Sequence, residues 1–297
     1  MRDFEISTDS NCDLYADEIK NLGIFVGHLS YTITTKDGQL TEYLDNYTNY
    51  QQYVDFFNLL RNGCVAKTSI LSLQAHIDLF TEMAKKGIKK ALHIAQSDGL
   101  SPTIDNANKA IEIVKETYPD IDYVAIESKT TTIGEGMLVK IACDMRDKGK
   151  DRQEAIDFIQ ANKCKLQHIV MVDDLTCLKR GGRISGPKAM IATVLGIKPI
   201  IEFGMNGKLD VYKKPMGTKK AMAGIVEEFK NHTLNKDYPL AVIVHCDNEP
   251  RALELQKMVF KETGVKPEIR IMGPIIGAHV GPGGVALGFL SNEYRPF

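Results

Sequence analysis

A chain of 297 residues, 43% hydrophobic and 25% charged, has the make-up of an ordinary globular protein and is too apolar for disorder. At about 100–200 residues per domain its length predicts two domains, with one large α/β domain as the alternative. Thirty-seven basic against thirty-eight acidic residues give a net charge of -1, which leaves no overall basic excess to neutralise phosphates, so nucleic acid is not an expected partner.

The first half alternates β-type runs with amphipathic ones. Phe4 to Thr8, Phe25 to Thr34, Ala91 to Gln96 and Tyr123 to Ile126 read as strands. Leu73, Ala75, Ile77, Leu79, Phe80 and Met83 give one broad helical face, and Ile104, Ala107, Ala110, Ile111 and Val114 a cleaner one. Met137, Ile141 and Met145 continue the pattern behind Gly134 and Gly136. This alternation predicts a parallel sheet covered on both faces, which binds ligands beyond the carboxyl ends of its strands.

Asp151-Arg152-Gln153-Glu154 has the form of a capping box and opens a helix through Ile159. The polar Asn162-Lys163 that follows sets the expected division into an N-terminal α/β domain, 1–162, and a C-terminal one, 163–297. In the second part, His168 to Val172, Ile197 to Phe203, Leu209 to Tyr212, Leu240 to His245 and Glu268 to Met272 read as strands, and Gly217 to Phe229 and Glu249 to Phe260 as helices. Asn206-Gly207 between two β runs predicts a hairpin. A second α/β domain with a mixed sheet fits this order.

No stretch approaches the ~20 apolar residues of a membrane helix, so no integral membrane insertion is expected. The first residues, Met1 to Ile6, lack the apolar core of a signal peptide, and a cytoplasmic location is the expectation. Six scattered cysteines without a Cys-x-x-Cys pair predict neither a structural zinc site nor a disulfide framework. The P-loop, the dinucleotide fingerprint, His-Glu-x-x-His and the Gly-x-Ser-x-Gly elbow are all missing, so no cofactor and no resident metal are expected.

What remains is a set of hydroxyl-rich junctions. In Gln96-Ser97-Asp98-Gly99-Leu100-Ser101-Pro102-Thr103, Ser101 sits where an N-cap belongs and Pro102 where a first helical residue belongs. The serine either caps its own helix or turns to an anion at the helix N-terminus, and capping is the reading this segment favours by itself. Lys67-Thr68-Ser69 and Lys129-Thr130-Thr131-Thr132 repeat the arrangement, so three junctions are expected to gather hydroxyls at one sheet edge. Further on, Lys179, Arg180 and Arg183 surround the Gly181-Gly182 turn, which reads either as a solvated basic loop or as donors aimed at an oxyanion. His279 stands alone among apolar residues and glycines, where it serves as a structural residue or as a donor to a carboxylate. Asp173-Asp174 has no neighbouring ligands at metal spacing.

Taken in order, these segments resemble the DegV family. Thr8-Asp9-Ser10-Asn11-Cys12-Asp13-Leu14 is similar to the family's opening, and Lys67-Thr68-Ser69 to its Thr-Ser motif. Ser97 to Thr103 is similar to its Ser-x-x-Leu-Ser-Gly-Thr loop, with Pro102 in place of the glycine, and Ile70-Leu71 replaces Gln-Pro after the Thr-Ser pair. Leu178 to Ser185 matches Leu-Lys-x-Gly-Gly-Arg-Ile-Ser, and His279 to Gly283 matches His-x-Gly-Pro-Gly. The resemblance implies two α/β domains with a long-chain fatty acid between them, in a substrate carrier without catalytic residues of its own. A separate ATP-dependent fatty acid kinase subunit then phosphorylates the carboxylate, feeding phospholipid metabolism. Carried over by motif, Thr68, Ser69, Ser101 and His279 hold the head group, and Arg183 lies near it or near the kinase contact. The rival expectation is a small-molecule phosphotransferase or hydrolase built on the same Ser/Thr/His set, which needs a carboxylate to orient His279.

Overall fold

In the computed structural model, which describes residues 2–184 and 196–296, the apolar runs of the first half form a parallel sheet. Strands β1 (Glu5–Asp9), β2 (Phe25–Gly27), β6 (Lys90–Ala95) and β7 (Asp122–Glu127) lie in the order β2-β1-β6-β7, every pair parallel. Helices α3 (Leu73–Lys85) and α4 (Thr103–Thr117) bury Leu79, Phe80, Met83, Ala107, Ala110, Ile111 and Val114 together with Ala91 of β6 and Tyr123 of β7. These are the helical faces the three-and-four spacing predicts. Helix α5 (Ile133–Asp147) is buried nearly all round, as its continuous apolar run requires. It approaches the backbone so closely that a Cβ on Gly136 would stand 2.5 Å from the Cys12 carbonyl oxygen.

The capping box predicted at residue 151 opens α6 (Arg152–Asn162): the Asp151 carboxylate accepts the Glu154 amide at 2.8 Å, and Glu154 accepts the Asp151 amide at 3.0 Å. Asp151→Ala is expected to cost about 1 kcal/mol, read as a lower urea midpoint with an unchanged slope.

The second sheet is mixed. Strands β8 (Leu166–Met171), β9 (Ile200–Phe203), β10 (Leu209–Lys213), β11 (Ala241–His245), β12 (Glu268–Ile271) and β13 (Val285–Leu290) lie in the order β10-β9-β8-β13-β11-β12, and only β11 and β12 run parallel. Ile169, Leu287 and Ile243 stand in register across three strands and pack under α8 (Thr218–Lys230) and α9 (Glu249–Thr263) with Ile225, Leu255 and Val259. The predicted hairpin joins β9 to β10, with Gly207 at φ +71° in its turn. β9 starts at Ile200 rather than Ile197, because Pro199 has no N–H to give the ladder.

Sequence periodicity leaves several elements unmarked. The stretch 25–34 is two strands, β2 and β3 (Ser30–Thr34), because between them the Leu29 amide is drawn to Ser10 Oγ at 3.1 Å and His28 Nδ1 to the Asp45 carbonyl at 2.7 Å. β3 is the middle of a small sheet with β4 (Leu40–Leu44) and β5 (Val65–Thr68). Helices α1 (Ala16–Leu22), α2 (Tyr50–Arg61), α7 (Thr176–Arg180) and α10 (Pro274–Val280) complete the described helices.

The chain divides into two units: residues 1–32, 42–48 and 68–163, and residues 33–41, 49–67 and 164–297. Two segments that precede residue 162, 33–41 and 49–67, group with the second unit. The reason is packing. Phe56 and Phe57 of α2 close on Gly277 of α10, where a Cβ would meet Phe57 Cζ at 2.8 Å, and Arg61 pairs with Asp247. Among the described residues no helix is long and apolar enough to cross a membrane.

Candidate functional site

In the first unit, the carboxyl ends of β1, β6 and β7 carry the polar residues. β1 has neighbours on both sides, and the chain leaves it for β2 on one side and later returns to β6 on the other, which makes the β1–β6 edge a topological switch point. There Asn11 Nδ2 donates to Thr131 Oγ1 at 3.0 Å, Thr131 Oγ1 to Gln96 Oε1 at 3.3 Å, and the Ser97 amide to the Thr130 carbonyl at 2.7 Å. Asp13, Lys129 and Thr132 all adopt positive φ, 54°, 55° and 50°, and Thr132 also donates to Asp13. A β-branched residue in that region is strained, and the surrounding network holds it there. Two of the three hydroxyl junctions thus gather at this edge. The third does not, because Thr68 ends β5 in the three-stranded sheet.

Ser101 departs from its expected role. Helix α4 begins at Thr103, its N-cap is Pro102, and no side chain caps it. The Ser101 amide instead bonds to the Ser97 carbonyl at 3.1 Å, closing a turn that leaves the hydroxyls of Ser101 and Thr103 buried with no protein partner. A buried hydroxyl in that state costs about 1–3 kcal/mol until something accepts from it. Thr68 is half-buried and Ser69 exposed, with the Ser69 amide held by the Ser30 carbonyl at 3.0 Å. The segment after them is tied to α4, since Asn106 Nδ2 donates to the Leu71 carbonyl at 3.0 Å.

In the second unit, Arg183 and His279 come together around Gly181. Arg183 donates to the Gly181 carbonyl, and the His279 ring rests against the Gly181 Cα. The glycine-rich run around His279 is helical: Pro274 opens α10 at its first turn and Gly281, at φ +81°, follows its end, so His279 occupies the last turn. Burial, helped by the Arg183 charge, holds the His279 imidazole down to about 4. The ring is neutral at pH 7 while the guanidinium stays charged, even though burial lowers Arg183. One fixed cation beside one neutral donor suits a carboxylate. Ser185, the last residue of the Gly-Gly-Arg-Ile-Ser motif, lies outside the described residues.

Asp173 pairs with Lys198 at 2.7 Å and Arg251 at 3.1 Å, and Asp174 accepts the Thr176 amide at 2.7 Å, so both aspartates are engaged in the scaffold. Among the described residues no group of three or more His, Cys, Asp or Glu side chains is placed to hold a metal ion. Hydrophobic periodicity does not mark Glu135. It is the one charged residue in the apolar run Ile133–Val139, and that isolation was the available signal.

A parallel-sheet α/β unit joined to a mixed-sheet α/β unit, with hydroxyl and Arg/His donors on its turns, defines the class. The chain belongs to the DegV family: the family described as "Uncharacterised protein, DegV family" matches residues 3–292. A DegV domain-containing protein of Clostridium perfringens is 34% identical over 297 residues, covering 100% of both chains. Among solved structures, the chain is similar to a fatty acid binding DegV family protein of Streptococcus agalactiae at 26% identity and TM-score 0.80, covering 99% of this chain and 100% of that one. It also shares the fold of a stearic acid-binding protein of Eubacterium ventriosum, at 21% identity and TM-score 0.84, covering 97% and 98% of the two chains.

Proposed function

We propose that this protein binds a long-chain fatty acid and presents its carboxylate to an ATP-dependent fatty acid kinase subunit for acyl-phosphate formation. In this reading it is a cytoplasmic, non-catalytic substrate carrier, and the acyl tail lies in an apolar tunnel. Thr68, Ser69, Ser101, Arg183 and His279 hold the head group. The observation that carries the reading is the Ser101 hydroxyl, buried and without a partner on a turn that does not use it as a cap. The fatty acid ligand of the Streptococcus agalactiae relative supports the ligand class.

The energetics agree. About 15 buried methylenes at ~0.8 kcal/mol each contribute roughly 12 kcal/mol gross, and association removes several of these. The Arg183 cation beside His279 lowers the basicity of the ring, which favours holding an anion over general-base chemistry.

Organic extraction of the protein purified from bacteria, followed by mass spectrometry, is expected to yield close to one fatty acid per chain. Recovery of none from folded protein sinks the reading. The loaded protein with ATP and a partner kinase is expected to form acyl-phosphate, and with ATP alone to form none. Ser101→Ala with His279→Ala is expected to weaken retention on the order of tenfold or more. In ligand-free protein, Ser101→Ala is expected to leave stability unchanged or raise it by up to about 1 kcal/mol, because no bond is lost.

A further inference from the structure

Beneath the Gln96–Ser101 turn lies a pair of carboxyls that the proposed function does not use. Asp9 closes β1, Glu135 stands in the first turn of α5, and both are fully buried. Glu135 accepts the Thr8 hydroxyl at 2.8 Å and Asn11 Nδ2 at 2.8 Å, while both oxygens of the neighbouring Asp9 carboxyl are buried without a hydrogen-bond partner. Two carboxyls that repel each other away from water do not readily both ionise, so the pair retains a proton. The other groups facing them from neighbouring turns, Cys12, Asp13 and Asp45, are a thiol and two more acids, so none supplies a positive charge.

The pair connects to the Ser101 turn by an unbroken route. The second Asn11 Nδ2 hydrogen goes to Thr131, Thr131 bonds to Gln96, and the Gln96 amide is itself turned toward Asp9. Next to it the Ser97 amide is fixed to Thr130, and Ser97 accepts the amides of Leu100 and Ser101 at 3.1 Å through its carbonyl and of Gly99 at 3.2 Å through its hydroxyl. The floor of the turn is thus laid on the carboxyl pair. We infer that Asp9 and Glu135 are positioning residues whose shared proton sets the place of the Gln96–Ser101 turn, and with it the Ser101 hydroxyl. The consequence for a fatty acid rests on the carrier reading above; the coupling of proton to turn does not. Burial raises the Asp9 carboxyl to about 7 and Glu135 well above its ordinary value, so the pair changes its protonation from near neutral pH upward.

The test is amide hydrogen exchange at Ser97 and Ser101 in the delipidated full-length protein between pH 6 and pH 9, corrected for intrinsic exchange, alongside palmitate titrations. In the wild type, protection is expected to fall about fivefold or more across that range, with palmitate affinity falling in parallel. Glu135→Gln, which cannot release a proton there, is expected to flatten both profiles. Asp9→Asn makes the same test from the other partner if Glu135→Gln fails to fold. Identical pH dependence in the wild type and a folded variant overturns the inference. Flattened exchange profiles in a protein that binds no palmitate at any pH uphold the positioning role and remove the carrier reading instead.

Discussion

Gly181→Ala is expected to destabilise the second unit by about 1–3 kcal/mol, the usual cost of overpacking, and to lower fatty acid retention along with it. The added methyl would lie 2.7 Å from His279 Cε1 and closer still to Nδ1, while the Cys177 carbonyl stands 3.4 Å away on the same side. The easiest relief is displacement of the imidazole, which on the carrier reading turns a packing defect into a head-group defect. Gly182 makes the discriminating control. It has open space around it but a φ of +70°, so its constraint is conformational rather than steric. Gly182→Asn is expected to be nearly neutral, since asparagine tolerates that region, whereas Gly182→Ala costs up to about 1 kcal/mol. Thermal melts of the four proteins with and without lipid check the order. A Gly181→Ala variant that melts and retains lipid as the wild type does refutes the contact.

The second large effect is a loss of stability as pH rises above neutrality. Burial raises the carboxyls of Asp9 and Glu202 to about 7 and those of Asp45 and Glu135 well above their ordinary values. A carboxyl with a raised folded value keeps a proton that the unfolded chain has released. Its stabilisation is therefore fully present below the unfolded value of about 4 and is lost as pH climbs through the folded value. Buried histidines act with the opposite sign. Burial holds His168 down to about 3 and His279 to about 4, and lowers His76 and His93 as well, so their contribution is full above about 6.5 and falls away in acid. Between about 4 and 6.5 the two sets oppose each other, and above that only the carboxyls still titrate. Urea midpoints are expected to change little from pH 5 to 6.5 and then to fall toward pH 9. Glu135→Gln is expected to remove a large part of that drop. A profile that stays flat above pH 6.5 means that the raised carboxyls do not govern stability there.

Much of the fold is legible along the chain because its signals are local. The period of α3 and α4, the Asp151/Glu154 box and the Asn206-Gly207 turn each depend on side chains a few residues apart. The misreadings share a different cause. β4 is an edge strand whose five residues are all exposed, so burial imposes no alternation on it. α10 hides in a glycine-rich run because Gly277 exists to admit the Phe57 ring, a contact between residues 220 positions apart. Taken with its neighbours alone Ser101 reads as a cap, but the Ser97 carbonyl draws its amide back and the helix starts at Thr103.

By itself the sequence determined the family and the two α/β sheets, because motif order and hydrophobic period are written residue by residue. Only the tertiary structure decided that α2 packs with the second unit, that Arg183 and His279 share Gly181, and that the Asp9 and Glu135 carboxyls are both buried away from water. Each of those depends on which distant groups are pressed together away from water, and burial of that kind, unlike periodicity, has no signature in spacing along the chain.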